Sequence, residues 1–190
     1  LHVTGATTRL GKVEDGTTVS DYDDEEHRRK ISLYSSVIPV EHRDHKINII
    51  DAPGYTDFVG EMVSALSVAD GAILLVDAVA GLEVGTELAW RYADQFRLPR
   101  FIVINKMDRD NADFEKVFAE VDEFVHSHGK RTFMVHIPIG EKQDFKGVVD
   151  VIGMKSYMGD GKTIAEIPAN LKEAAEKAHF EMVEAAAEGE

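Results

Sequence analysis

Two polar motifs, each closing a short apolar run, constrain this chain more than any other feature. Lys46 to Ile50 leads into Asp51-Ala52-Pro53-Gly54, and Phe101 to Ile104 leads into Asn105-Lys106-Met107-Asp108. Short apolar runs rich in β-branched and aromatic residues read as buried strands. Between the motifs lie a helical-period segment with Phe58, Met62, Ala65, Leu66 and Ala69, the continuous apolar run Ala72 to Ala78, and a second helical segment with Leu88, Tyr92 and Phe96. A further helix, from about Ala112 to His126, carries Phe114, Val117, Phe118, Val121 and Val125. Alternating strands and helices predict an α/β fold with a doubly wound, mostly parallel sheet. The Ala72–Ala78 strand is expected to be covered on both faces. Ligands of such sheets sit beyond the carboxyl ends of the strands, where both motifs fall.

The residue types at those ends suit a nucleotide. A carboxylate at Asp108 can accept two parallel hydrogen bonds from guanine, whose N1–H and 2-amino group are adjacent donors. Adenine lacks that pair and would leave the carboxylate unpaired. Asn105 can tie neighbouring loops together, and the stem of Lys106 can lie along a base face. Asp51 stands where nucleotide hydrolases place the carboxylate that holds Mg²⁺. Gly54 lets a backbone N–H approach a terminal phosphate without a side chain in the way. A tight polar turn explains either motif alone. The pair, about fifty residues apart with room for helix, strand and helix between, is far more specific.

The rest of the chain is less informative. Leu1 to Gly5 reads as the last turn of a helix capped by a left-handed glycine. Ala6 to Lys30 carries scarcely an apolar residue and reads as a long loop, with the His27-Arg28-Arg29-Lys30 run a solvated face. Ile31 to Val40 is expected to pair with Lys46 to Ile50 through the turn Glu41 to His45. After Gly129 the pattern changes to two strands, Thr132 to Ile137 and Lys146 to Ile152, then the turn Met158 to Lys162. A terminal helix from Pro168 to about Glu188 has Leu171, Ala174, Ala178, Met182 and Val183 on one side. Residues 1–130 and 131–190 are therefore expected to be a main domain and the start of a small α+β insert.

Composition excludes several classes. The net charge of −14 argues against a general nucleic-acid-binding surface. Without cysteine, disulfide frameworks and thiolate metal sites are ruled out. No apolar run reaches membrane-spanning length, and no signal-peptide pattern is present.

The segments Asp51 to Phe58 (DAPGYTDF), Val68 to Gly81 (VADGAILLVDAVAG) and Asn105 to Asp108 (NKMD) resemble the GTP-binding domain of the translational GTPases, within them elongation factor G and its paralogues. Gly16 to Asp21 and Ile137 to Gly140 support the likeness, which covers essentially the whole chain. The resemblance implies a P-loop GTPase-type sheet, GTP or GDP with Mg²⁺ as ligands, the ribosome as partner and a cytoplasmic setting. Carried over by position, Asp51 and Gly54 serve Mg²⁺ and the γ-phosphate, and Asn105, Lys106 and Asp108 the guanine. Ser32 falls where the family usually has a Mg²⁺-ligating threonine.

The departures from the family pattern are equally specific. No G-x-x-x-x-G-K-[ST] occurs in the sequence. The family's guanine-side Ser-Ala loop is not found before Glu190. Tyr55 replaces the family's catalytic His, and a phenol suits positioning a water better than taking its proton. The chain is thus read as part of a multidomain factor whose central first strand is missing from this sequence. The alternatives are a guanine-nucleotide-binding module with little or no turnover, or a structural fragment that binds no nucleotide on its own. The slot between the Ile47–Ile50 and Ile73–Val76 strands is expected to be filled by a strand of Ala6–Lys30 or of a second copy, or closed directly, since unpaired backbone groups are costly.

Overall fold

The computed structural model describes residues 1, 4–8, 11, 17–159 and 161–188. The chain forms two compact units, Leu1–Leu74 with Glu83–Val103, and Leu75–Leu82 with Ile104–Glu190.

In the first unit, α1 (Asp24–Arg29) occupies part of the segment expected to be a loop. Its signal is local: Asp23 accepts from the Glu25 N–H, and the Glu26 side chain returns to the Asp23 N–H, a reciprocal cap. A hairpin follows, β1 (Ser36–His42) and β2 (His45–Asp51), antiparallel with Ser36 opposite Asp51 and His42 opposite His45. The turn is shorter than expected. Arg43 and Asp44 both take positive φ, 48° and 62°, the two-residue geometry that matches strand twist. A short 3₁₀ turn, Thr56–Phe58, leads into α2 (Val59–Val68). Leu66 of α2 packs with Ala93 of α3 (Val84–Gln95) and with Ala72 and Leu98.

Two strands, β3 (Ala72–Asp77) and β4 (Arg100–Asn105), pair with each other. Ala72 N donates to Pro99 O and Ala78 N to Asn105 O, so both chains run the same way and the pair is parallel. Burial on β3 alternates. Ala72, Leu74 and Val76 are buried, while Ile73 and Leu75 are 68% and 62% exposed, which corrects the expectation of cover on both faces. The single sheet expected from the strand–helix alternation is also corrected. Among the described residues β2 pairs only with β1, and β3 only with β4. No strand lies in the described part of Ala6–Lys30, and direct closure does not occur. Each strand is held by other contacts: β2 by its hairpin partner, β3 by α2, α3 and β4. At the start of the chain Gly5 does take positive φ (78°), and Ala6 N donates to Leu1 O; His2 and Val3 lie outside the described residues.

The second unit holds α4 (Phe114–Ser127), which buries Phe114, Val117, Val121 and Val125 as its spacing predicts. Asp113 caps it by accepting from the Lys116 N–H at 3.0 Å. Asp113→Ala is expected to cost about 1 kcal/mol in urea unfolding of the chain; an unchanged midpoint would remove the cap from the account. Beyond α4 come four antiparallel strands rather than two: β5 (His136–Ile139), β6 (Gly147–Asp150), β7 (Lys155–Met158) and β8 (Ile164–Ala165), in that order. β8, only two residues long, is too short to show a period in sequence. Helix α5 (Lys172–Glu188) seats Ala175 and Ala178 against Ile137, Val149 and Val151. Its buried residues are Ala175, Ala178 and Ala185, so the expected face is turned: Ala174 and Val183 are exposed. Alanine is what lets the helix approach the strands closely, and apolar size misjudges such a face. No helix among the described residues is long and apolar enough to cross a membrane.

Candidate functional site

The second unit contains the turn after β4. Strand pairing fixes its start, because the Asn105 carbonyl accepts the Ala78 N–H at 2.9 Å. Met107 is buried with Ala78, Ala112 and Phe114 and acts as the anchor. Its carbonyl also accepts the Lys142 N–H at 2.9 Å. With Met107 pointing inward, Asn105, Lys106 and Asp108 are left exposed. Lys106 sits at φ +61°, a conformation that non-glycine residues adopt rarely.

What holds Lys106 there is Asp77, a residue that the motif reading passed over. Lys106 Nζ lies 2.6 Å from Asp77 Oδ2, while Asp77 Oδ1 accepts the N–H groups of Val79 (2.8 Å) and Ala80 (3.3 Å). The lysine and then these amides hold the Asp77 carboxyl below its usual value. Asp77 is the last residue of β3 and sits beside the end of β4 through strand pairing alone, so only its place at a strand end could have pointed to it. Asp108 makes no hydrogen bond or ion pair with another described residue. Its carboxylate is available to a ligand.

The first unit carries the other motif. Asp51, the final residue of β2, is exposed, Pro53 is buried, and Gly54 and Tyr55 are exposed. A Cβ built on Gly54 would meet nothing within 4 Å, so the protein's own packing places no demand for glycine there. Tyr55 precedes the 3₁₀ turn, accepts the Phe58 N–H at 3.0 Å on its carbonyl, and presents a phenol that is 58% exposed. The same unit positions Ser32, whose hydroxyl donates to Asp21 Oδ1 at 2.7 Å. Thr18 donates to the second oxygen of Asp21. With its proton committed, Ser32 keeps its oxygen lone pairs for a cation. Among the described residues no group of three or more His, Cys, Asp or Glu is arranged to hold a metal. Mg²⁺ does not require one, since it is usually bound by one or two protein oxygens together with water and phosphate.

The structure therefore gathers Asn105, Lys106 and Asp108 with Asp77, Asp51 with Gly54 and Tyr55, and Ser32 with Asp21. Residues 1–187 match the family described as "Elongation factor Tu GTP binding domain". The chain is 40% identical over 192 residues to elongation factor G 2 of Streptomyces coelicolor, covering 99% of this chain and 28% of that protein. It superposes with a TM-score of 0.87 and 35% identity on a crystal structure of a Thermus thermophilus protein, covering 100% of this chain and again 28% of the longer one.

Proposed function

The chain belongs to the elongation factor Tu GTP-binding domain family, and from that premise we propose that it is the GTP-binding and GTP-hydrolysing part of a larger elongation factor G-like protein that works on the ribosome in the cytoplasm. Residues 1–130 are the GTP-binding portion and 131–190 the start of the insert. The carrying observation is the turn after β4, with Asp108 unpartnered among the described residues beside a Lys106 paired with Asp77.

Asp108 reads the N1–H and 2-amino group of guanine. Lys106 lies along the base, with its ammonium neutralised by Asp77, and Asn105 braces the loop. Asp51 and the Ser32 hydroxyl offer hard oxygens that fit Mg²⁺, which when bound offsets charge on the phosphate oxygens. The Gly54 N–H donates to the γ-phosphate, unobstructed by a side chain. Tyr55 orients the attacking water by hydrogen bonding rather than taking its proton.

The 190-residue chain alone is expected to bind fluorescent GDP no tighter than roughly micromolar, because the backbone cradle and lysine of a phosphate loop carry much of nucleotide affinity and no such motif is present. A submicromolar dissociation constant would contradict that account. In the full-length protein, single-turnover GTP hydrolysis with and without ribosomes tests the activity, and GDP binding without GTP hydrolysis in either condition would refute the GTPase reading. That outcome is the second reading, a nucleotide-binding module with little turnover, which Tyr55 favours. Tyr55→His is expected to raise the hydrolysis rate; a flat or lower rate would show Tyr55 already adapted to the step.

A further inference from the structure

Within the acidic run Asp23-Asp24-Glu25-Glu26, Glu26 is 1% exposed and is among the largest fully buried side chains of the described residues. Its carboxylate is saturated. Oε2 accepts the N–H groups of Tyr22 and Asp23, both at 2.9 Å, and Oε1 those of Leu33 (2.8 Å) and Tyr34 (3.1 Å). Two donors therefore come from the chain just before α1 and two from the chain just after it, so one side chain closes the loop on itself. Burial pushes the carboxyl up, and the amides of Asp23, Leu33, Tyr34 and Tyr22 outweigh it, leaving the group below its usual value and ionised at neutral pH.

The residues next to the clamp carry the chemistry. Asp21 directly precedes Tyr22, and Ser32 directly precedes Leu33, so the bonds from Glu26 fix the chain on both sides of the Ser32–Asp21 hydrogen bond. The next residues tie the loop to α2, since Ser35 N donates to Glu61 Oε2 at 2.7 Å and Ser35 Oγ to the Glu61 carbonyl at 3.3 Å. Helix α1 is only six residues long and has no hydrophobic face of its own to hold it. Short helices are marginal without such support.

We propose that Glu26 is a positioning residue, a buried latch that closes the 21–34 loop and so presents the Ser32 oxygen, its proton committed to Asp21, as a ligand for a divalent cation. This rests on the reading of Ser32 as a Mg²⁺ ligand. The latch works through backbone geometry alone, and Glu26 touches neither cation nor nucleotide.

Glu26→Gln tests it at nearly constant size, because the amide end turns N–H groups toward two backbone donors. Arg28, Arg29 and Lys30 are exposed tryptic sites inside the latched loop. In the full-length protein, cleavage after these residues under native conditions is expected to run at least roughly tenfold faster in Glu26→Gln, since such cleavage follows the open population. Cleavage after Lys116, on α4, should not change, which separates local opening from general unfolding. The Mg²⁺ concentration needed to retain bound GTP should rise roughly tenfold in Glu26→Gln and in Ser32→Ala, with no further rise in the double variant, as expected for residues acting as one unit. Unchanged cleavage at 28–30 overturns the latch. A Mg²⁺ requirement moved by Ser32→Ala but not by Glu26→Gln overturns the positioning role. Faster cleavage with a Mg²⁺ requirement moved by neither variant overturns the assignment of Ser32 while the latch itself stands.

Discussion

Asp108→Asn in the full-length protein is expected to lower GTP affinity by roughly 10²–10⁴-fold, because the bond from the 2-amino group is lost and the bond from N1–H loses its charged acceptor, hydrogen bonds to charged groups being worth about 1.5–3 kcal/mol each. Xanthine nucleotides should gain as guanine nucleotides lose. The asparagine oxygen still accepts N1–H, and its amide now donates to the 2-carbonyl of xanthine, where it would face the 2-amino group of guanine donor against donor. The turn itself should survive the change, because its anchors lie elsewhere: Met107 is buried, Lys106 is tied to Asp77, and the Met107 carbonyl holds the Lys142 N–H. Competition between GTP and XTP on the variant measures the switch. Unchanged GTP affinity would mean that Asp108 does not face the base.

Trp90→Ala is expected to be the most damaging single truncation in the first unit, at about 3–5 kcal/mol. Trp90 is 4% exposed, the only tryptophan, and the cover for a nearly buried cation. The Arg100 guanidinium lies 4.2 Å from its ring centroid and donates to the Trp90 carbonyl (3.0 Å) and to Asp94 (2.9 Å). Removing the ring takes away both the apolar burial and the face on which the cation stacks. Arg100 begins β4, so the loss reaches the strand that delivers the turn. A domain of ordinary stability, about 5–15 kcal/mol, would lose much of its margin. Urea unfolding followed by far-UV circular dichroism measures the effect, with Trp90→Phe as the milder comparison. A loss under about 1 kcal/mol would show that the site collapses around the cavity or that Trp90 is not packed as described.

Sequence alone determined the elements with strong periods and the two motifs they carry. Of the expected α4 stripe Phe114, Val117, Val121 and Val125 are buried and Phe118 is half-buried, and β4 ends in the motif as its apolar run implies. Periodicity is legible because it reflects burial of one face of one element. Tertiary structure decided what depends on partners distant in the chain. Asp77 reaches Lys106 across 29 positions because two parallel strands end side by side, and no local pattern records that. The faces of β3 depend on what lies against them, so the same apolar run that suggests cover on both sides leaves Ile73 and Leu75 open. Glu26 is a different case, because its partners lie only three to eight positions away. A carboxylate in an acidic run belongs in water by composition, and the inverse holds here because four backbone N–H groups, two from each side of α1, converge on it and offset the cost of its burial.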